Sequence, residues 1–188
     1  MRTTNFIFLL MGILSIFGCS KPKPKETTVS QKETTISKKE TAVFEKAFGI
    51  TLPGEWSRRS EDGGSRIVFS SSATHEQLTV SLMPSSTRMD PALRLSTFNQ
   101  VMELRRQAET HGLPPSAIKM TAPSVSEMSG IHSGRYSGSE PASQRRFTCL
   151  LFCSSSLVAT FYYEAIGLPQ SEADERANAI LGSAKLNE

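Results

Sequence analysis

The sequence has few of the residues that carry out chemistry. Among its 188 residues are three cysteines, three histidines and one tryptophan. No Cys-x-x-Cys pair occurs, which excludes the redox motif of thioredoxin-like proteins. The histidines, His75, His111 and His132, are far apart in sequence, and none has a partner at metal-ligand spacing. We therefore expect no metal ion, no cofactor and no catalytic histidine.

Motifs of nucleophilic catalysis and phosphate binding are also missing. No serine stands in a Gly-x-Ser-x-Gly turn, and no glycine-rich phosphate loop occurs. Ser116 and Lys119 have the Ser-x-x-Lys spacing of penicillin-recognising enzymes, but they follow two prolines and lack the companion motifs. We interpret this spacing as chance. The sequence predicts no catalytic residue, and a hydrolase is the least favoured alternative.

The positive charge of the chain is unevenly placed. The net charge is +3, but residues 42–188 carry fourteen lysines and arginines against fifteen acidic residues. The excess lies in residues 20–41, where six lysines face three glutamates. A nucleic-acid-binding domain needs a basic footprint on its folded part. The charge distribution therefore argues against DNA or RNA as a partner.

The N-terminal segment has the composition of an export signal. Arg2 precedes an apolar run over residues 6–17, and Gly18-Cys19 follows. Twelve residues of helix span roughly 18 Å, short of the ~30 Å hydrocarbon core of a membrane. The pattern resembles a bacterial lipoprotein signal, which implies removal of residues 1–18 and acylation, palmitate included, of Cys19. A plain signal peptide and an uncleaved anchor are the alternatives. The residue after the cysteine is Ser20. In the lipoprotein pattern, serine rather than aspartate at this position implies that the protein is transferred to the outer membrane, where it faces the periplasm.

A seven-residue repeat follows the signal. Its three units are Lys25–Gln31, Lys32–Lys38 and Lys39–Glu45. The first two units offer one apolar residue each, whereas a coiled-coil seam needs two per heptad. Thr-Thr pairs and low apolar content also disfavour a helix or a packed core. We expect residues 19–41 to be a disordered tether, about 25 Å long on average and about 75 Å when stretched.

Residues 42–188 have the composition of one globular domain. The pattern predicts a helix that begins at Asp90-Pro91, with aspartate as the N-cap, and ends near His111. A second helix follows Pro169, with Ser171 and Asp174 as its capping box. Runs of apolar and β-branched residues predict strands over Phe48–Pro53, Arg66–Ser70, Gln77–Met83, Ile118–Glu127 and Gly130–Ser139.

The strongest hairpin signal lies between residues 145 and 165. Its arms, Arg145–Cys153 and Leu157–Ala165, are apolar on both faces, which predicts a position in the middle of a sheet that is covered on both sides. Cys149 and Cys153 lie on one strand about 13 Å apart, beyond the ~7 Å limit of a disulfide. We expect two buried thiols. The fold class is α+β, a central antiparallel sheet with helices on both faces.

Two segments carry a resemblance to a known family. They are the Leu-Pro-Gly-x-Trp corner in GITLPGEW (49–56) and the closing strand LVATFYYEA (157–165). Together with the order of elements, they resemble the PsbP-like α/β/α sandwich and its DcrB-type bacterial relatives, over residues 44–186. The resemblance implies a role in binding or assembly. It supplies no catalytic residue to carry over.

Three polar or aromatic features have two interpretations each. Trp56 is either an exposed binding anchor or, as we favour, a core residue at the end of the sheet. The pairs Arg58-Arg59 and Arg145-Arg146 either bind an acidic partner or, more commonly, mark solvated turn ends.

The sequence thus predicts a protein held at the bilayer by acylated Cys19 that binds a protein partner of unknown identity. An immunity protein that neutralises a secreted effector is the narrower hypothesis. A chaperone or assembly factor for an envelope complex is the alternative.

Overall fold

A large antiparallel sheet forms the centre of the molecule. The computed structural model describes residues 34–36 and 41–187, and the side chains of residues 45–187. Nine strands of this part pair in one sheet. They are β1 (Thr34–Ile36), β4 (Trp56–Glu61), β5 (Arg66–Ser71), β6 (Glu76–Pro84), β7 (Lys119–Met120), β8 (Ser124–Met128), β9 (Ile131–Glu140), β10 (Arg145–Cys153) and β11 (Leu157–Ile166).

A second, smaller sheet and two helices complete the described fold. The small sheet contains β2 (Thr41–Phe44), β3 (Phe48–Leu52) and β12 (Lys185–Leu186), with β3 in the middle. The helices are α1 (Pro91–Thr110) and α2 (Gln170–Gly182). Neither helix is long and apolar enough to cross a membrane.

The hairpin of β10 and β11 lies inside the large sheet, as predicted. The strand order is β1-β4-β5-β6-β11-β10-β9-β7, and β8 also pairs with β9. Successive side chains of β10 point to opposite faces of the sheet. Phe147, Cys149 and Leu151 pack in the core beneath α1, whereas Leu150 and Phe152 pack in the core beneath α2. The predicted α+β fold with a central antiparallel sheet is confirmed.

Local sequence signals explain where α1 lies. The carboxylate of Asp90 accepts a hydrogen bond from the Leu93 N–H at 2.8 Å, and Pro91 occupies the first helical turn. Phe98 and Met102, four residues apart, are the buried residues of the helix. The predicted start of α1 and the Asp90 cap are therefore confirmed.

The predicted capping box of α2 is wrong. The N-cap is Pro169, no side chain caps the helix, and Ser171 lies inside the first turn. Proline fixes its own φ near the value seen here, −55°, so the helix begins at the next residue, Gln170. The side chain of Asp174 instead lines a cleft that is described below.

The seven-residue repeat contributes two strands. Thr34–Ile36, inside the segment predicted to be a tether, pairs with β4, and Thr41–Phe44 of the last unit pairs with β3. Thr-Thr and Thr-Ala followed by Val or Ile favour extended backbone, and neighbouring strands supply the partners. The strand predicted over Phe48–Pro53 is confirmed as β3, whereas β4 and the other two strands of the small sheet, β2 and β12, were not predicted. Trp56, at the start of β4, is 2% exposed and donates from Nε1 to the Pro53 carbonyl at 2.9 Å, which confirms it as a core residue.

The two cysteines of β10 are free thiols in the core. Cys149 and Cys153 are each 0% exposed and do not form a disulfide. Burial raises the pKa of the Cys149 thiol to about 12. Both side chains act as small apolar groups, as predicted.

Candidate binding cleft

One half of the sheet's α2 face has a polar surface. Gly134 of β9 faces α1, because a Cβ there would lie 2.5 Å from Met102 and 2.6 Å from Phe98. Its neighbour Arg135 therefore faces the α2 side, and so do Ser137 and Ser139. On β10, Thr148 lies opposite Ser137, and their hydroxyl oxygens are 3.0 Å apart. Arginine and hydroxyl side chains thus form the floor of a cleft.

Helix α2 and the segment before β8 form the walls. The cleft has a volume of about 600 Å³. Gln170, Asp174 and Asn178 of α2 line one side, and residues 119–124 line the other. Because Lys119 lies opposite Ser139 in the antiparallel pair of β7 and β9, it faces the same side of the sheet. We call this site the basic cleft.

Positive charge dominates the basic cleft. Lys119, Arg135 and Arg146 line it, against the single carboxylate of Asp174. Within the described residues, none of these three cations has a carboxylate oxygen within 4.0 Å. The Nε of Arg146 is shielded from solvent and has no hydrogen-bond partner in the described part of the chain. The cleft therefore presents three positively charged groups that no described carboxylate pairs within 4.0 Å.

Partial burial affects the electrostatics of Arg135. Desolvation lowers the pKa of its guanidinium, and the nearby Asp174 carboxylate opposes that shift. A lowered arginine pKa still leaves the group charged at neutral pH, because its ordinary value is above 12. A positive charge that has lost part of its water gains more from an incoming anion than an exposed one does.

The basic cleft continues at both ends. A second cavity of about 530 Å³ shares Lys119, Ser139, Arg146 and Gln170 with it and extends to the turn before β10. A third cavity of about 170 Å³ shares Ser124 and Arg135 and extends along β8. The three form one groove beside the outer strands of the sheet.

The other arginine of the predicted pair has a different environment. The Nε of Arg145 donates to Glu164 at 2.6 Å, and its Nη2 donates to Glu109 of α1 at 2.9 Å. Its Cζ lies 4.8 Å from the centre of the Phe147 ring. Arg145 therefore fixes α1 to the sheet. The interpretation of Arg145-Arg146 as a pair of solvated turn ends is wrong for Arg145.

The remaining arginine pair lies along β4 rather than in a turn. Arg58 pairs with Glu45 at 2.6 Å, and Arg59 pairs with Glu61 at 2.6 Å. The short strand has no regular alternation of apolar residues, which is why it was not predicted. Arg58 therefore connects β4 to the turn before β3, whereas Arg59 pairs within its own strand.

The residues considered for catalysis lie on separate elements. His75 is in a turn, His111 follows the last residue of α1, and His132 is buried in β9 with its Nδ1 3.7 Å from Glu127. Lys119 begins β7, so it does not follow Ser116 on a helical turn. In the described part of the chain, no three His, Cys, Asp or Glu side chains are grouped as metal ligands. Cys19 lies outside the described residues.

Sequence reasoning missed Arg135, the residue at the centre of the groove. Its signal is the alternation Ser133-x-Arg135-x-Ser137-x-Ser139, which gives one face of a strand four polar residues. The pattern identifies a polar face but not what lies above it. That depends on the position of α2.

Several solved structures are similar to this chain, among them a cyanobacterial and a mycobacterial protein. The cyanobacterial PsbP of Synechocystis sp. PCC 6803 matches with a TM-score of 0.54 and 11% sequence identity, over 92% of this chain and 99% of its own. LpqN of Mycobacterium tuberculosis, involved in cell envelope biogenesis, matches with a TM-score of 0.50 and 15% identity, over 80% of this chain and 91% of its own. No family model matches the sequence, and no curated protein sequence matches it. At these identities the similarity concerns the fold, which is that of the PsbP-like proteins.

Proposed function

We propose that this protein is a lipid-anchored module of the bacterial cell envelope that binds another protein and catalyses no reaction. Its anchor is acylated Cys19, and Ser20 favours the outer membrane, with the domain facing the periplasm. The signal-like segment before Cys19 supports export. The similarity in fold to LpqN, a protein involved in cell envelope biogenesis, agrees with that location.

The observation that carries this proposal is the basic cleft. A domain with nearly balanced charge places Lys119, Arg135 and Arg146 together and pairs none of them with a carboxylate of the described residues. Hydrogen bonds to charged groups contribute about 1.5–3 kcal/mol each. Two or three such bonds to carboxylates of a partner suffice for specific recognition. We infer that the partner offers an acidic segment.

Two biological roles fit such a module. An immunity protein would intercept a toxic effector that arrives at the envelope, and a lipid anchor with a tether suits that task. A chaperone or assembly factor would instead hold a subunit of an envelope complex, the kind of role that the PsbP-like resemblance implies. Of the two, we favour the immunity role. Hydrolysis is the least favoured alternative.

The test begins with crosslinking in living cells. The lipidated full chain is crosslinked and purified, and the captured protein is identified by mass spectrometry, with Cys19→Ala as the control without an anchor. We expect one stoichiometric partner that is enriched over this control. No enrichment over Cys19→Ala contradicts the proposal.

A deletion strain then separates the two roles. An immunity role predicts that the strain dies beside sibling cells that produce the effector, and that it survives beside cells lacking the effector. An assembly role predicts loss of an envelope complex regardless of the neighbours. Survival beside toxin-producing siblings excludes the immunity role.

A further inference from the structure

Strand β8 has one free edge. It pairs with β9 along one side, and no strand of residues 34–36 or 41–187 pairs with its other side. All five residues of β8 are exposed. At the opposite end of the large sheet, β1 covers the edge of β4.

The turn between β8 and β9 determines which backbone groups point outward. Ser129 and Gly130 both have positive φ, 52° and 75°, as in the two-residue turn that joins hairpin strands. Met128 and Ile131 close this turn and form a hydrogen-bonded pair. Hydrogen-bonded and non-hydrogen-bonded pairs alternate along an antiparallel ladder. The N–H and C=O groups of Val125 and Glu127 therefore point away from β9.

The sequence of β8 does little to block pairing at this edge. Proteins protect exposed edges with charged side chains, proline or bulges. In β8, which reads Ser-Val-Ser-Glu-Met, the one charged residue is Glu127, and it lies opposite His132, on the side of the sheet away from the basic cleft. Val125 is 58% exposed and Met128 is 77% exposed. The edge thus combines free backbone groups with exposed apolar side chains, the two features that an added strand uses.

The basic cleft lies beside this edge. Ser124 lies opposite Arg135 and faces the same side of the sheet, as does Ser126, whose Oγ is 2.7 Å from that of Ser133. A strand added to β8 would lie two strand spacings from β9, about 9–10 Å. Because the serines between them are small, glutamate side chains of that strand and the guanidinium of Arg135 can meet across β8.

We propose that the partner's acidic segment binds in extended form, as an additional strand on the free edge of β8. Backbone hydrogen bonds to Val125 and Glu127 hold the segment, and alternate acidic side chains reach the basic cleft. This inference rests on the proposed function and adds the mode of binding. A second copy of this chain fits the site less well, because a second β8 brings one carboxylate, that of Glu127, and leaves the cations of the cleft unmatched.

A proline at position 125 tests strand addition. Val125→Pro removes an outward N–H while leaving the ladder between β8 and β9 intact, and proline is tolerated on edge strands. Val125→Ala keeps the N–H and serves as the matched control. The probe is a fluorescent twelve-residue peptide of alternating glutamate and threonine. A peptide with glutamine in place of glutamate is its neutral counterpart.

Binding of each peptide to the full chain in detergent is measured by fluorescence anisotropy. We expect the acidic peptide to bind at least tenfold more weakly to Val125→Pro than to Val125→Ala, and the neutral peptide to bind more weakly to both. Amide exchange of Val125 and Glu127 in the unchanged protein should slow when the acidic peptide is bound. This second measurement does not depend on how the proline variant folds.

Other outcomes overturn the inference in distinguishable ways. Equal binding of the acidic peptide to both variants, with no slowing of exchange, rejects strand addition but leaves the basic cleft as the binding surface. Equal binding of the neutral and acidic peptides rejects the acidic segment. Absence of any binding rejects both the inference and acid recognition by the cleft. A dimer in sedimentation that Val125→Pro dissociates assigns the edge to a second copy.

Discussion

Arg145 and Arg146 adjoin in β10, and their guanidinium groups lie on opposite faces of the sheet. Arg145 forms ion pairs with Glu109 and Glu164 beneath α1. Arg146 lines the basic cleft on the α2 side and pairs with no carboxylate of the described residues. The alternation of a strand assigns the two groups to different faces. Arg145 stabilises the fold, and Arg146 has no carboxylate of the described residues within 4.0 Å.

This difference predicts that the same substitution destabilises the protein at Arg145 and has little effect at Arg146. Arg145→Met should lower the free energy of unfolding by about 2 kcal/mol, because two carboxylates lose their cation at a site that retains some solvent access. Arg146→Met should change it by less than about 0.5 kcal/mol. Urea unfolding followed by the fluorescence of Trp56 measures both values. Equal losses in the two variants would contradict the assignment.

Glu76 is predicted to fix α2 to the sheet. Its side chain is 0% exposed, accepts a hydrogen bond from the Tyr163 hydroxyl at 2.6 Å and pairs with Arg176 of α2 at 2.9 Å. Glu76→Gln should cost about 2–4 kcal/mol of unfolding free energy, because Arg176 and Tyr163 lose a buried charged acceptor. Glu172→Gln is the matched control, since Glu172 contacts the same arginine from an exposed position and should cost less than about 0.5 kcal/mol. Thermal unfolding of both variants measures the two losses, and equal losses would contradict the role of Glu76.

Position 138 of β9, which is a glycine, is predicted not to tolerate a larger residue. A Cβ there would lie 2.3 Å from the ring of Phe147, inside the core beneath α1. Gly138→Ala should therefore destabilise the protein by about 1–3 kcal/mol through overpacking. At Gly182, the last residue of α2, a Cβ meets nothing within 4 Å, so Gly182→Ala should leave stability unchanged or raise it slightly. A stable Gly138→Ala variant would show that β9 and Phe147 pack less closely.

The three tyrosines and Cys149 predict a loss of stability at alkaline pH. Burial raises the pKa of Tyr136, Tyr162 and Tyr163 well above its ordinary value, and the pKa of Cys149 rises to about 12. Since the unfolded chain loses these protons first, the stabilisation is complete below about pH 9 and is lost as the pH rises from 9 towards 12 and beyond. Above the pKa that it has in the unfolded chain, each group removes about 1.4 kcal/mol of stability per pH unit, so Cys149 acts first and the tyrosines follow from about pH 10.

Absorbance at 295 nm tests this directly, because the sequence has three tyrosines, of which the fold buries Tyr136 and Tyr163 and partly buries Tyr162. Phenolate should form only together with unfolding, as followed by circular dichroism. A tyrosine that titrates near pH 10 while the fold is intact would contradict the burial described here.

Much of the fold follows from local patterns in the sequence. The apolar arms of β10 and β11 predict a central hairpin because only a sheet covered on both faces buries both sets of side chains. Asp90 and Pro91 predict the start of α1 because cap chemistry is local. β4 lacks such a signal, since Trp56-Ser-Arg-Arg-Ser-Glu has no regular apolar alternation. Residues 34–36 form the strand β1 because they pair with β4, which lies later in the sequence.

The candidate site depends on long-range packing, which the sequence pattern does not contain. The floor of the basic cleft is a strand face, and its wall is a helix that begins thirty-one residues after Ser139, at Gln170. Whether α2 covers Arg135 or leaves it open is decided by the core around Ile180 and Leu181. Sequence reasoning identified Arg146 as one member of a pair with two interpretations. The predicted strand places Arg145 and Arg146 on opposite faces, but the pattern does not show which of the two faces supplies carboxylates to pair with.

The measurement that tests the proposed binding surface most directly is the yield of crosslinked partner after charge reversal in the cleft. Arg135→Glu with Arg146→Glu is compared with Lys46→Glu and Lys185→Glu, which make the same change in charge at exposed positions outside the cleft. We predict that the cleft variant loses at least nine-tenths of the partner captured by the unchanged full chain, while the control keeps it and both remain folded. Capture by the cleft variant at the level of the unchanged protein, or an equal loss in both variants, would contradict the basic cleft as the binding surface.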